Sequence, residues 1–210
     1  EVLHRGEYGV TIDKDAALKW ARKSADKGNV LGEYNFSWLS GNYYEVPHEW
    51  VDKLKMISAA GSARAAYNLG KIYFKGVLAT PFKVYFAPYD PSAGLLWYTK
   101  SATLGYPLAQ YQLGELYVSN GWEIPANPKE AVKWYIKAAE QGHARAPLKL
   151  GMLYDIGEVV PQNFVHAYAW YNIGKANDKK WFLYEMYMRN MQSLEAKMTP
   201  EQIATAQRLS

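Results

Sequence analysis

Few side chains in this sequence are spaced for covalent or metal chemistry. The four histidines, His4, His48, His143 and His166, fall in separate parts of the chain. None forms a His-x-x-x-His or His-Glu-x-x-His pair, which would place two imidazoles on one helix face for a metal. His143 follows Gly142, and a turn position accounts for it. The chain has no cysteine, so disulfides and thiolate chemistry are excluded. It also lacks a Gly-x-Ser-x-Gly elbow and a phosphate-cradling glycine loop. What stands out is aromatic content, with 18 Tyr and 8 Trp in 210 residues. Such side chains act by burial, as anchors at interface centres. Binding without a cofactor is expected rather than catalysis.

Composition narrows the partners. Lys+Arg number 24 against 20 Asp+Glu, a net charge of +4 spread along the chain. Without clustered Lys and Arg there is no nucleic-acid footprint. Hydrophobic residues make up 49%, enough for a globular core. No apolar run approaches the ~18 residues that a membrane span needs. The opening Glu-Val-Leu-His-Arg-Gly lacks a basic-then-apolar signal pattern.

The aromatics recur at fixed offsets. Asp13…Ala17…Trp20, Asp90…Gly94…Trp97, Asn127…Ala131…Trp134 and Asn163…Ala167…Trp170 share one spacing. The first three run on to Gly28, Gly105 and Gly142. A second pattern reads Ala65…Leu69-Gly70…Tyr73, then Ala109…Leu113-Gly114…Tyr117, then Ala146…Leu150-Gly151…Tyr154. A weaker copy holds Gly32, Tyr34, Phe36 and Ser37. A residue demanded once per repeat fills the core between repeats, so the Trp and Tyr ladders are expected to be packing rather than a ligand box.

Each unit predicts two helices. Ala109, Leu113 and Tyr117 mark one face of a first helix. Asp or Asn then caps a second helix, with Pro91 and Pro128 at its first position. Asn127 and Glu130 are spaced for a capping box, as are Thr199 and Gln202 before a final helix. Gly28, Gly105 and Gly142 fit left-handed C-caps.

Two stretches resemble the Sel-one-like repeat family, relatives of the tetratricopeptide repeats. They are Ala109-Gln-Tyr-Gln-Leu-Gly114-Glu-Leu-Tyr117 and Ala131-Val-Lys-Trp-Tyr-Ile-Lys-Ala-Ala-Glu-Gln-Gly142-His-Ala. The likeness runs from about Gly6 to Ser210, and the close resembles the ending of many bacterial members. It implies an all-α, right-handed α/α solenoid of about five helix-turn-helix repeats with a C-terminal helical cap. Residues 1–178 would form the solenoid and 179–210 the capping helices of the same domain. It further implies an adaptor that binds another protein, with no nucleic acid and no membrane span. Some relatives look like periplasmic immunity proteins that block a secreted toxin, which implies the bacterial periplasm or secretion as location. Cysteine-rich relatives have been linked to envelope enzymes, an analogy that a chain without Cys weakens.

Three departures shape the candidate site. The opening Gly6-Glu-Tyr-Gly9-Val10 is expected to be the turn of a repeat whose first helix is missing, the unit around Trp50 is degenerate and contains Pro47, and the turn from Tyr73 to Asp90 is longer than that from Tyr117 to Asn127. The long turn carries Phe74, Phe82, Tyr85, Phe86 and Tyr89, which either read a partner or plug the next groove. On the first helices, the slots that vary are Asn35, Trp38, Asn68, Lys71, Gln112, Glu115, Lys149 and Met152. In related solenoids these line the concave surface. Trp38 and Met152 stand where Lys71 and Glu115 are polar, so each is a candidate anchor, though Trp38 could instead pack on the degenerate unit. The expected partner-binding set is Trp38, Lys71, Phe74, Phe82, Tyr85, Phe86, Tyr89, Glu115 and Met152. The stretch Trp181-Phe-Leu-Tyr-Glu-Met-Tyr-Met-Arg-Asn-Met191 is expected to be a buried cap.

Overall fold

The structure, a computed structural model, describes residues 14–25, 32, 48–75, 77–79, 84–87, 89–119, 123–177 and 181–210. These residues form α1 (Lys14–Ala25), α2 (His48–Ala59), α3 (Ala63–Lys75), β1 (Val77–Ala79), β2 (Val84–Ala87), α4 (Pro91–Thr103), α5 (Pro107–Val118), α6 (Pro128–Glu140), α7 (Ala146–Ile156), α8 (Phe164–Asn177), α9 (Trp181–Glu195) and α10 (Pro200–Arg208). From α2 through to α9 the consecutive helices pack one on the next, and α10 returns to α8. That is a solenoid, in which every element touches only its neighbours. The first helices of its units are α3, α5 and α7; α4, α6 and α8 are their second helices.

Backbone ends explain the repeat. After α2, α4 and α6 the chain passes through Gly61, Gly105 and Gly142 at φ +94, +86 and +78. This left-handed turn lets Tyr106 N–H reach Ser101 O at 3.1 Å and Gly105 N–H reach Ala102 O at 3.0 Å, with equivalent pairs after α2 and α6. Two otherwise orphaned carbonyls are thereby satisfied at each helix end. Gly28 lies outside the described residues. At the second-helix starts, Asp90, Asn127 and Asn163 accept the amides of Ala93, Glu130 and His166 at 2.9, 3.3 and 3.0 Å. The amides of these same three residues donate to Tyr73 O, Tyr117 O and Tyr154 O at 3.0, 2.9 and 2.8 Å. Each turn is thus closed at its base, whatever its length. The same bond corrects the expected capping box at Asn127. Its amide is already spent on Tyr117, and Glu130 turns to Lys133 at 2.5 Å instead. At Thr199 no such competitor exists, and the full box with Gln202 forms.

At the α3–α4, α5–α6, α7–α8 and α8–α9 contacts a tyrosine ring presses on a glycine of the facing helix. A Cβ placed on Gly70 would sit 2.6 Å from the Tyr98 ring, and Gly114, Gly151 and Gly174 stand against Tyr135, Tyr171 and Tyr187 in the same way. The buried aromatic of the repeat is therefore the residue after the tryptophan. Tyr135 is 1% exposed, whereas Trp20 is 62% exposed, and Trp97, Trp134 and Trp170 are only partly covered. These three tryptophans lie along the core of the preceding unit. Lysines one turn on cover the outer faces of Trp97 and Trp134, with Nζ 5.2 and 4.6 Å from the ring centres.

The long turn after α3 holds a two-stranded antiparallel ribbon, with Leu78 opposite Tyr85 and a bulge between Val77 and Leu78. Val84-Tyr-Phe is rich in β-branched and aromatic residues, which favour extended backbone. The expected aromatic loop is thus partly strand, and β2 also touches α2. At the other end α9 is amphipathic rather than apolar all round. Tyr187, Met191 and Leu194 are buried, whereas Tyr184 and Met186 remain exposed. Residues three to four apart share a helix face, so one stripe of α9 meets α8 while Tyr184 and Met186 stay outside. Among the described residues, no helix is long and apolar enough to cross a membrane.

Candidate functional site

Gly70, Gly114 and Gly151 turn one face of each first helix toward a tyrosine. The neighbouring slots hold Asn68 and Lys71 on α3, Gln112 and Glu115 on α5, and Lys149 and Met152 on α7. Helical spacing of three sets each pair on a common face.

Between α5 and α7 these slots are chemically closed. Lys149 Nζ reaches Glu115 at 3.0 and 3.1 Å, touching both carboxylate oxygens, and the Tyr135 hydroxyl donates to the same carboxylate. Burial raises the Tyr135 pKa, and the Glu115 charge raises it further. The hydroxyl therefore remains a proton donor throughout the ordinary pH range. Glu115, expected to face a partner, is engaged in joining two repeats. Sequence reasoning missed this role, although the Tyr that follows Trp97, Trp134 and Trp170 (Tyr98, Tyr135, Tyr171) was a readable signal.

The other expected contacts divide. Lys71 is 8% exposed, and its Nζ lies 5.9 Å from the Tyr67 ring centre. Phe74 is buried, stacked on Tyr98 with centroids 5.3 Å apart and pressed on Gly94, so it belongs to the core. The physical reason is its position: it is still on α3, before the ribbon begins, on the face that meets α4. Tyr89 is 47% exposed where the ribbon returns to α4, and Met152 is 37% exposed. Tyr85 and Phe86 lie on β2. Trp38, Asn35 and Phe82 lie outside the described residues. The structure therefore leaves Met152 and Tyr89 exposed, buries Phe74, and ties the partly exposed Glu115 to Lys149 and Tyr135.

His143 occupies the turn after Gly142, as its place in the sequence suggests. Its ring stacks on Tyr111 at 4.3 Å with planes 17° apart. Burial, assisted by the Arg145 charge, depresses its pKa to about 4. It is held neutral as a packing group.

The Sel1 repeat signature matches residues 1–29, 63–106, 107–143 and 144–177. No curated protein matches the chain in sequence. Among solved structures, the chain is similar over 100% of its length to a protective antigen present in uropathogenic Escherichia coli strains that displays an SLR fold (TM-score 0.65, 29% identity). It spans only 42% of that protein. A Sel1 repeat protein from Oxalobacter formigenes matches with TM-score 0.54 and 24% identity, covering 68% of this chain and 97% of that one. An immunity protein from Pseudomonas aeruginosa matches more distantly, with TM-score 0.47 and 18% identity over 89% of this chain and 76% of that one. Sel1 repeat proteins are protein-interaction modules, and their solenoid is typically a non-catalytic scaffold. With the signature falling on the same helix pairs that the glycine turns and capped starts define, this chain belongs to the Sel1 repeat family.

Proposed function

We propose that the chain is a non-catalytic protein-interaction module whose partner docks on the concave surface lined by the first helices, with the ribbon after α3 as a second contact. Met152 carries this reading. It is an exposed apolar side chain in a slot where α5 holds a charge already used internally, set on a framework repeated unit after unit. A rigid support with an exposed apolar anchor loses little entropy on binding. Tyr89 supplies a second anchor, and Trp38, Phe82, Tyr85 and Phe86 stay in the proposed surface from their positions in the chain. A standard interface of ~1,600 Å² would span several first helices. The partner is another protein, and the proposed compartment is the bacterial periplasm or the exterior. Support for that location is the likeness to a protein described as a protective antigen.

The test is affinity capture from the source cell with three baits: wild type, Met152→Glu, and a ribbon variant with Phe82, Tyr85 and Phe86 changed to Ser. A protein held by the wild type and lost from Met152→Glu supports the concave surface. The same protein held equally by all three baits overturns the proposed surface. A captured secreted toxin would assign the immunity role.

A further inference from the structure

The second helices share one framework, so their outer faces can be compared slot by slot. The residue before Trp97, Trp134 and Trp170 is Leu96 on α4, Lys133 on α6 and Ala169 on α8. On α6 the slot holds an exposed lysine, which keeps its charged head in water. On α8 it is covered: α10 packs on α8, and Ala169 is 5% exposed in the core cluster shared with Ala206 and Ile203 of α10. On α4 the leucine is bare, 67% exposed. Leu104, two turns along the same face, is 46% exposed. One exposed leucine needs no account, but two in a row leave an apolar stripe ~12 Å long.

A lysine stripe lies beside it. Lys129, Lys133 and Lys137 stand four residues apart on the outer face of α6, all exposed. Buried Gln110 joins the C-terminal ends of the two helices. Its amide donates to Ala102 O of α4 at 3.1 Å, and its carbonyl accepts from Gln141, the C-cap of α6, at 2.6 Å. Both helices begin at a side-chain cap and end at a glycine turn, so this joint sets the α4 leucines alongside the α6 lysines. Lys100, Lys129, Lys133 and Lys137 stand against Glu130 and Glu140 on the two helices, and α4 itself has no acidic residue. Glu130 pairs with Lys133 at 2.5 Å.

We propose that the outer face of α4 and α6 is a second docking surface, which takes an amphipathic helix of a partner protein with an apolar stripe flanked by acidic side chains. The precedent is internal, since α10 already packs on α8, where the slot is buried. Leu96 and Leu104, two turns apart, match apolar residues two turns apart on a helix lying along α4, and the lysines meet its carboxylates. A bilayer fits less well. Trp97 and Trp134, the rings that could settle at a lipid interface, lie under Lys100 and Lys137. This surface is separate from the first-helix slots and stands without them.

The probe is a blocked peptide of about 20 residues, long enough to hold a helix, with leucines three and four apart and glutamates flanking them. Fluorescence anisotropy follows its titration into the full chain at low salt. Wild type should bind it, binding should weaken as salt rises, and a peptide with lysine in place of glutamate should not bind. Leu96→Ser with Leu104→Ser should weaken binding about 10-fold by removing the stripe. Lys133→Glu should weaken it and flatten the salt dependence. All three side chains are exposed, so the fold is kept. Met152→Glu should bind the peptide as wild type does, which separates this surface from the concave one. No binding by wild type, equal binding by the leucine variant, or loss in Met152→Glu would overturn the proposal. Tighter binding of phosphatidylglycerol vesicles than of the peptide would overturn it in favour of a lipid, and a sedimenting dimer abolished by the leucine variant in favour of a second copy.

Discussion

Gly70, Gly114 and Gly151 are each followed directly by one of the variable slots, Lys71, Glu115 and Met152, and the two columns obey opposite rules. Every glycine meets a tyrosine ring, because only a residue without a Cβ allows the two helices to approach that closely. The next residue, about 100° around the helix, meets whatever the repeat supplies: a neighbouring aromatic ring for Lys71, a carboxylate network for Glu115, open solvent for Met152. One register position is set by backbone contact, and its neighbour is free to vary. A solenoid can therefore change its binding chemistry without changing its stacking.

The largest separation between the two columns should come from truncation. Leu113→Ala, in the fully buried core beside Gly114, should cost about 2–5 kcal/mol, while Met152→Ala should stay within about 0.5 kcal/mol. Urea denaturation of the two variants measures this directly, and similar losses would erase the distinction.

Acid should act on the framework side. The His143 pKa is depressed to about 4 in the folded chain, below the ordinary 6.5. The unfolded chain therefore binds the proton more readily between those values. The contribution is fully present above pH 6.5 and is lost as pH falls toward 4, a total of about 3 kcal/mol. His143→Gln removes the titration. The stability gap between wild type and variant should narrow from pH 7 to pH 4.5, and a constant gap would argue against it.

Adding a methyl at Gly151, against Tyr171, should overpack the interface and cost about 1–3 kcal/mol. Asn127→Ala removes the α6 cap and should cost about 1 kcal/mol. The smallest effect belongs to the slots. A double-mutant cycle of Glu115→Gln with Lys149→Met should give a coupling of about 0.2–1 kcal/mol that shrinks with salt, because both side chains are about one-third exposed (32% and 37%). A coupling insensitive to salt would mean the pair is more enclosed than its exposure indicates.

Much of this architecture was legible from spacing alone. Helix pairs, glycine turns, Asp and Asn caps and the Thr199 box depend on contacts within a few residues of the chain, so local sequence determines them. The repeat offsets identified a packing column, but they pointed to Trp134 where the buried ring is Tyr135. Adjacent helix residues differ by about 100° in direction, and a recurring offset marks both members of the Trp-Tyr pair equally. The candidate site was legible only in outline. Register placed Lys71, Glu115 and Met152 in one row, and Met152 is exposed there.

What became of each member was decided across repeats. Glu115 meets Lys149 and Tyr135 from separate helices, and Phe74 is drawn onto Gly94 and Tyr98. Sequence by itself determined which residues can form helices, turn and cap. Only tertiary structure decided which polar slots satisfy one another and which are left to a partner, because hydrogen bonding and burial depend on distances between chain segments that no local pattern encodes.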